Sequence, residues 1–101
     1  KVVASIEARM GSSRLPGKSI RKILDKPMLE LMIERVKECK EVDDIVVATS
    51  SNKKDNVIAE LASKLDVNYF RGSENDVLDR VLNAAKMIKA DVIVELWGDC
   101  L

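Results

Sequence analysis

Four short runs of β-branched and apolar residues punctuate this chain, at residues 2–8, 44–49, 67–70 and 91–97. The first contains Val2, Val3 and Ile6, the second reads D-I-V-V-A-T, and the fourth reads D-V-I-V-E-L-W. Each has the composition and length of a strand. The first is nearly continuous in its apolar character, which suits the centre of a parallel sheet. The third is short and alternates at Asn68, which suits an edge. Between the runs lie apolar residues at helical spacing. Leu29, Met32, Ile33, Val36 and Cys39 make one stripe, with Pro27 in the first turn. Val57, Ile58, Leu61, Ala62 and Leu65 make the second, capped by Asn52 or Ser51. Val77, Leu78, Val81, Leu82, Ala85 and Ile88 make the third, with Ser73 as cap and Asp76 at the capping-box distance.

The order is therefore β-α-β-α-β-α-β, without an internal linker, repeat or low-complexity segment. Right-handed crossovers turn that order into an α/β fold, a Rossmann-like parallel sheet with helices on both faces. Placing the short third strand at an edge gives the spatial order 3-2-1-4. The winding direction then reverses between strands 1 and 4, and ligands bind such sheets at that point, outside the carboxyl ends of the strands. The flanking loops are residues 9–18 and 98–101. Topology alone thus brings Asp99 beside the first loop.

That loop has a distinctive chemistry. Gly11, Ser12, Ser13, Pro16 and Gly17 are turn formers, and Arg9, Arg14 and Lys18 are set among them with no acidic residue between. Glycines allow close backbone approach, free N–H groups make an anion nest, and cations offset phosphate charge. A Walker A loop is excluded, because five residues separate Gly11 from Gly17 where that loop has four. No G-x-G-x-x-G occurs either.

Composition narrows the partners. The 101 residues fit one domain, and Lys+Arg balance Asp+Glu at 17 each, so no global field points to nucleic acid or a membrane. Tyr69, Phe70 and Trp97 are the only aromatics, too few for a base-stacking platform. No apolar run reaches membrane-spanning length. Cys39 and Cys100 give no disulfide framework, and a cytoplasmic location is the expectation. With no histidine in the chain, mechanisms built on an imidazole base are disfavoured.

Several residues read two ways. Asp99 suits a Mg²⁺ ion between a carboxylate and phosphates, and equally a Gly-Asp turn after a strand. Ser73 and Asp76 read as helix caps before they read as ligands. Thr49 and Ser50 end a strand at the same edge, where hydroxyls are mostly structural. Asp79 and Arg80 read as solvated charges on a helix surface.

Four segments carry a resemblance to a known family. They are A-R-M-G-S-S-R-L-P-G-K at 8–18, V-A-T-S at 47–50, R-G-S-E-N-D-V-L-D-R at 71–80, and A-D-V-I-V with G-D-C at 90–100. In order and spacing the chain resembles the cytidylyltransferases of the spore-coat polysaccharide type, relatives of CMP-sugar-acid synthetases. The resemblance implies transfer of CMP from CTP to a sugar or sugar acid, with release of pyrophosphate, in cell-surface polysaccharide synthesis. It assigns nucleotide binding to Ala8, Arg9, Met10, Gly11, Ser12, Arg14, Lys18, Arg71, Ser73 and Asp76. It gives Arg9, Lys18 and Asp99 catalytic roles, with Asp99 holding the Mg²⁺ cofactor.

The chain departs from that pattern at Glu7, where the family usually has Gln, and at Glu95 and Trp97, commonly Arg and Thr. The two glutamates put anionic charge near a phosphate site. The resemblance also implies that residues 1–101 are the nucleotide-binding half of a nucleotide-diphospho-sugar transferase fold, truncated on its C-terminal side, and that the full-length protein is a homodimer. A nucleotide-sugar-dependent glycosyltransferase is the alternative, although it usually carries a D-x-D after the fourth strand. A non-catalytic nucleotide-binding module is the other.

Overall fold

The computed structural model describes residues 1–10, 22–23 and 26–97. The four apolar runs form one sheet from β1 (Val2–Glu7), β4 (Asp44–Ser50), β5 (Asn68–Gly72) and β6 (Val92–Trp97). Its spatial order is β5-β4-β1-β6, and every pairing is parallel. This is the 3-2-1-4 order expected from the pattern. Two-residue strands β2 (Lys22–Ile23) and β3 (Lys26–Pro27) make a separate antiparallel pair before the first helix. Pro27 is consequently the residue before α1 (Met28–Lys37), where its missing N–H costs nothing.

Side chains alternate across the strands, so each strand serves two cores. Ile6, Ala8, Ile45 and Val47 pack with Leu29, Met32 and Ile33 of α1 and with Ile58 and Ala62 of α2 (Asn56–Lys64). Val3, Val46 and Ala48 face the other way and pack with Ala84 and Ile88 of α3 (Val77–Ile88). That helix crosses β1, β4 and β5. Both α2 and α3 end on a left-handed residue, Asp66 (φ 58°) and Lys89 (φ 56°). In each case the following amide closes back on the helix, Val67 N–H to Ala62 O at 2.9 Å and Ala90 N–H to Ala85 O at 3.1 Å.

Three expectations need correction. Cys39 does not belong to the first stripe: α1 ends at Lys37, and Cys39 is an exposed free thiol beyond it. Ser73 does not cap α3. Asp76 does, its side chain accepting from the Asp79 N–H, while Ser73 Oγ accepts from the Asp76 N–H at 3.1 Å. Leu78 and Leu82 do not lie in the buried stripe but are 67% and 52% exposed, because α3 turns Arg80, Ala84 and Ile88 to the sheet instead. The inward-facing Arg80 finds its partners at the carboxyl edge.

Candidate functional site

At the carboxyl end of β1 the strand register runs one residue beyond its last pair, with Ala8 N–H donating to Ala48 O at 3.1 Å. Ala8 is buried, and Arg9 and Met10 then leave the sheet. The Arg9 guanidinium donates to the Glu74 carbonyl, across the edge. Met10 N–H donates to Asp55 Oδ1 at 2.8 Å. The two residues at the root of the glycine-rich loop are therefore fastened on opposite sides, one to the β5–α3 connection and one to the start of α2.

The 71–76 segment meets this root from the other side. Arg71 donates from Nε to Ser50 O at 3.0 Å and from a terminal nitrogen to Asn52 O at 2.9 Å, clamping the turn after β4. Ser73 and Asp76 make the local turn and cap already described. Lys54 Nζ, in the turn before α2, lies 3.5 Å from a Glu74 carboxylate oxygen of the same segment.

Beneath the segment, Arg80 is only 2% exposed. Its Nε and one terminal nitrogen donate to Glu7 Oε1 at 3.1 and 2.9 Å. Its other terminal nitrogen donates to the Ser73 and Glu74 carbonyls at 2.7 and 3.0 Å. The expectation that Arg80 is solvated is overturned, because a buried carboxylate on β1 and two loop carbonyls give its five donors a dry place to bond. Gly72 makes the room: a Cβ there would stand 2.7 Å from Phe70 Cε2 and 3.2 Å from Arg80 Cγ. Glu7 is likewise not a bare anion facing a phosphate site, since Arg80 neutralises it. Burial still raises the Glu7 carboxyl above its ordinary range, against the pull of Arg80 and Arg9.

Glu95 has no such neighbour. It sits opposite Ser5 in the β1–β6 register, on the α3 side of the sheet. Neither of its oxygens finds a hydrogen-bond partner among the described residues, and the same is true of Ser5 Oγ and Glu7 Oε2. Burial, and then the charge of Glu7, pushes the Glu95 carboxyl up to about 7, with Arg80 opposing.

The structure thus brings together Ala8, Arg9, Met10, Arg71, Ser73 and Asp76 at one edge of the sheet. Gly11, Ser12, Arg14, Lys18 and Asp99 lie outside the described residues. The register pairs Glu7 with Trp97, so β1 and β6 reach that edge together. As for a metal, Asp55 has both oxygens engaged and Glu7 is paired with Arg80. Among the described residues no group of three acidic, histidine or cysteine side chains could hold an ion. These residues by themselves therefore do not form a metal site.

Arg80, Glu7 and Asp55 are the residues that sequence reasoning missed. The signal for the first two was present. Glu7 continues the inward side of a buried strand after Val3 and Ser5, and Arg80 stands in helical register with Ala84 and Ile88. A buried acid and a buried base on facing elements ask for each other. Nothing in the spacing pointed to Asp55.

Residues 3–100 match the cytidylyltransferase family profile. The chain belongs to the cytidylyltransferase family. It is 39% identical over 98 residues to the spore coat polysaccharide biosynthesis protein SpsF of Bacillus subtilis, covering 93% of this chain and 41% of that protein. A cytidylyltransferase from Leptospira borgpetersenii superposes with a TM-score of 0.93 at 46% identity, covering 99% of this chain and 42% of that one. CMP:2-keto-3-deoxy-manno-octonic acid synthetase complexed with CTP superposes at a TM-score of 0.79 and 31% identity, over 98% and 40% of the two chains. This family member therefore spans about two-fifths of the length of the relatives it matches. Among the described residues no helix is long and apolar enough to cross a membrane.

Proposed function

We propose that this chain is the CTP-binding part of an enzyme that transfers CMP from CTP to a sugar or sugar acid, releasing pyrophosphate, in polysaccharide biosynthesis. The observation that carries the reading is the place from which the glycine-rich cationic sequence departs. Its root, Arg9 and Met10, emerges from the central strand at the point where the sheet reverses its winding, in a fold shared with a relative complexed with CTP.

In this reading the loop amides from Gly11 and Ser12 onward, with Arg9, Arg14 and Lys18, bind the triphosphate. An acceptor hydroxyl attacks the α-phosphate in line, and the bond to the pyrophosphate breaks. Such chemistry rests on positioning and on charge stabilisation of the leaving group. Lys18 and Arg9 do the latter, and the 71–76 segment lies beside the nucleoside. Mg²⁺ belongs to the proposal through Asp99, and would supply charge neutralisation between carboxylate and phosphate oxygens. The acceptor pocket and a homodimer contact are assigned to the remainder of the full-length protein.

The test is a nucleotide screen on the full-length protein, reading pyrophosphate release with candidate sugar acids. CTP-dependent release, absent or far slower with UTP, ATP and GTP, is the expected result. Turnover of UDP-sugars without pyrophosphate release would replace the reading with a glycosyltransferase.

A further inference from the structure

Asp55 closes a 3-10 turn, Lys53–Asp55, that runs into α2, and Asn52 caps that turn, its side chain accepting from Lys54 N–H at 3.0 Å. The Asp55 side chain makes no cap bond of its own. The side chain turns away and is completely buried. Its Oδ1 accepts from Met10 N–H at 2.8 Å, and its Oδ2 accepts from the Ser50 hydroxyl. The Ser50 oxygen in turn accepts from Asn52 N–H at 3.1 Å. One carboxylate therefore joins the end of β4, the start of α2 and the main chain immediately before Gly11. A buried carboxylate needs its acceptor capacity filled, and the Met10 amide fills part of it.

We propose that Asp55 is a positioning residue for nucleotidyl transfer: through the Met10 amide it fixes the main chain at the root of the phosphate-binding loop. The inference rests on the CTP-dependent reading above. Asp55 touches no phosphate in this account. It acts through the backbone of Met10, with Arg9 held to Glu74 on the other side of the same root. Because in-line displacement depends on geometry, a misplacement of about 1 Å at a distant support costs on the order of 10²-fold in rate.

The test uses the full-length protein with Asp55→Ala, Asp55→Asn and Asp55→Glu. Asparagine keeps the shape and an acceptor for Met10, whereas glutamate keeps the charge but moves the acceptor by one methylene. Positioning predicts kcat reduced on the order of 10–10²-fold in Asp55→Ala and Asp55→Glu, with KM for CTP changed less. Asp55→Asn should stay within about threefold of wild type. Amide exchange at Met10, measured without nucleotide, should rise in the first two variants and not in Asp55→Asn.

Faster Met10 exchange with unchanged kcat would overturn the positioning role and leave the CTP reading intact. Loss in Asp55→Asn with activity kept in Asp55→Glu would overturn it in favour of a charge effect. If Asp55→Ala does not fold, the Asn and Glu pair still decides. A wild-type protein that releases no pyrophosphate from CTP would overturn the functional reading itself, and this inference with it.

Discussion

The two faces of the sheet are built to different rules. On the α1/α2 face the strands present Ile6, Ala8, Ile45 and Val47 to Leu29, Ile33, Ile58 and Ala62, and polar groups, Thr49 and Asp55, enter only at the carboxyl edge. On the α3 face an apolar start, Val3 and Val46 under Ala84 and Ile88, gives way toward the carboxyl edge to Ser5, Glu7, Glu95 and Arg80. Burial of hydrocarbon needs no particular partner, but a buried charge must be matched atom by atom. The first face is therefore held together mainly by hydrocarbon, with Asp55 reaching the loop root from its edge, while the second also fixes the 71–76 segment through Arg80.

The sharpest way to break this contrast is Arg80→Met, which keeps the volume and removes the charge. It leaves Glu7 buried without a cation and frees the Ser73 and Glu74 carbonyls. The cost expected in urea unfolding is about 3–5 kcal/mol, the scale for orphaning one member of a buried pair. Ile58→Ala on the other face should cost somewhat less, about 2–5 kcal/mol, since it leaves only a cavity. The contrast lies in the readout. Arg80→Met should also loosen amides in the 71–76 segment, and Ile58→Ala should not. Equal local effects from both would mean that the two faces do not differ.

Acidity separates the faces more gently. The folded state holds the Glu95 proton up to about 7, against 4.5 for an ordinary glutamate. Glu7 is raised in the same direction. The folded chain therefore binds more protons than the unfolded one across that window. The stability this represents is complete below about 4.5 and is lost as pH rises through about 7. Melting temperature should fall between pH 5.5 and 8, and Glu95→Gln should flatten much of the slope. A slope unchanged in Glu95→Gln would place the titration elsewhere.

The smallest expected effect treats the faces alike. Asp66 and Lys89 end helices on opposite sides in the same left-handed conformation. Replacing either with Gly should stabilise by about 0.5–1 kcal/mol, by relieving the Cβ penalty at positive φ. A gain at one site only would show that a contact, not the backbone, governs that end.

Strand order, parallel pairing and the central place of β1 were legible because they follow from β-branched runs and crossover rules, which the sequence states directly. The rotation of α3 was not. Counting apolar residues placed Leu78 and Leu82 inward, whereas the face turned to the sheet carries Arg80, paired with Glu7, and leaves both leucines exposed. The start of α3 was misread for a related reason. In a helix beginning at Ser73, the Ser73 and Glu74 carbonyls would accept from Val77 and Leu78. Arg80 and Arg9 take those carbonyls instead, which postpones the helix to Val77. Asp55 was illegible because an aspartate in a first helical turn and a strap to a distant amide look the same in one dimension. At the site, residues 8–10 and 71–76 do converge, while the loop cations from Arg14 to Lys18, and Asp99, fall outside the described residues.

The central claim is that the cationic loop rooted at Arg9 and Met10 holds the triphosphate of CTP. The direct measurement is pyrophosphate release from CTP by the full-length protein, wild type against Lys18→Ala, at matched folded fraction. The account predicts a loss on the order of 10²–10³-fold in turnover, the scale for one preorganised charge-stabilising donor, with the melting temperature unchanged. Turnover close to wild type in Lys18→Ala would contradict it.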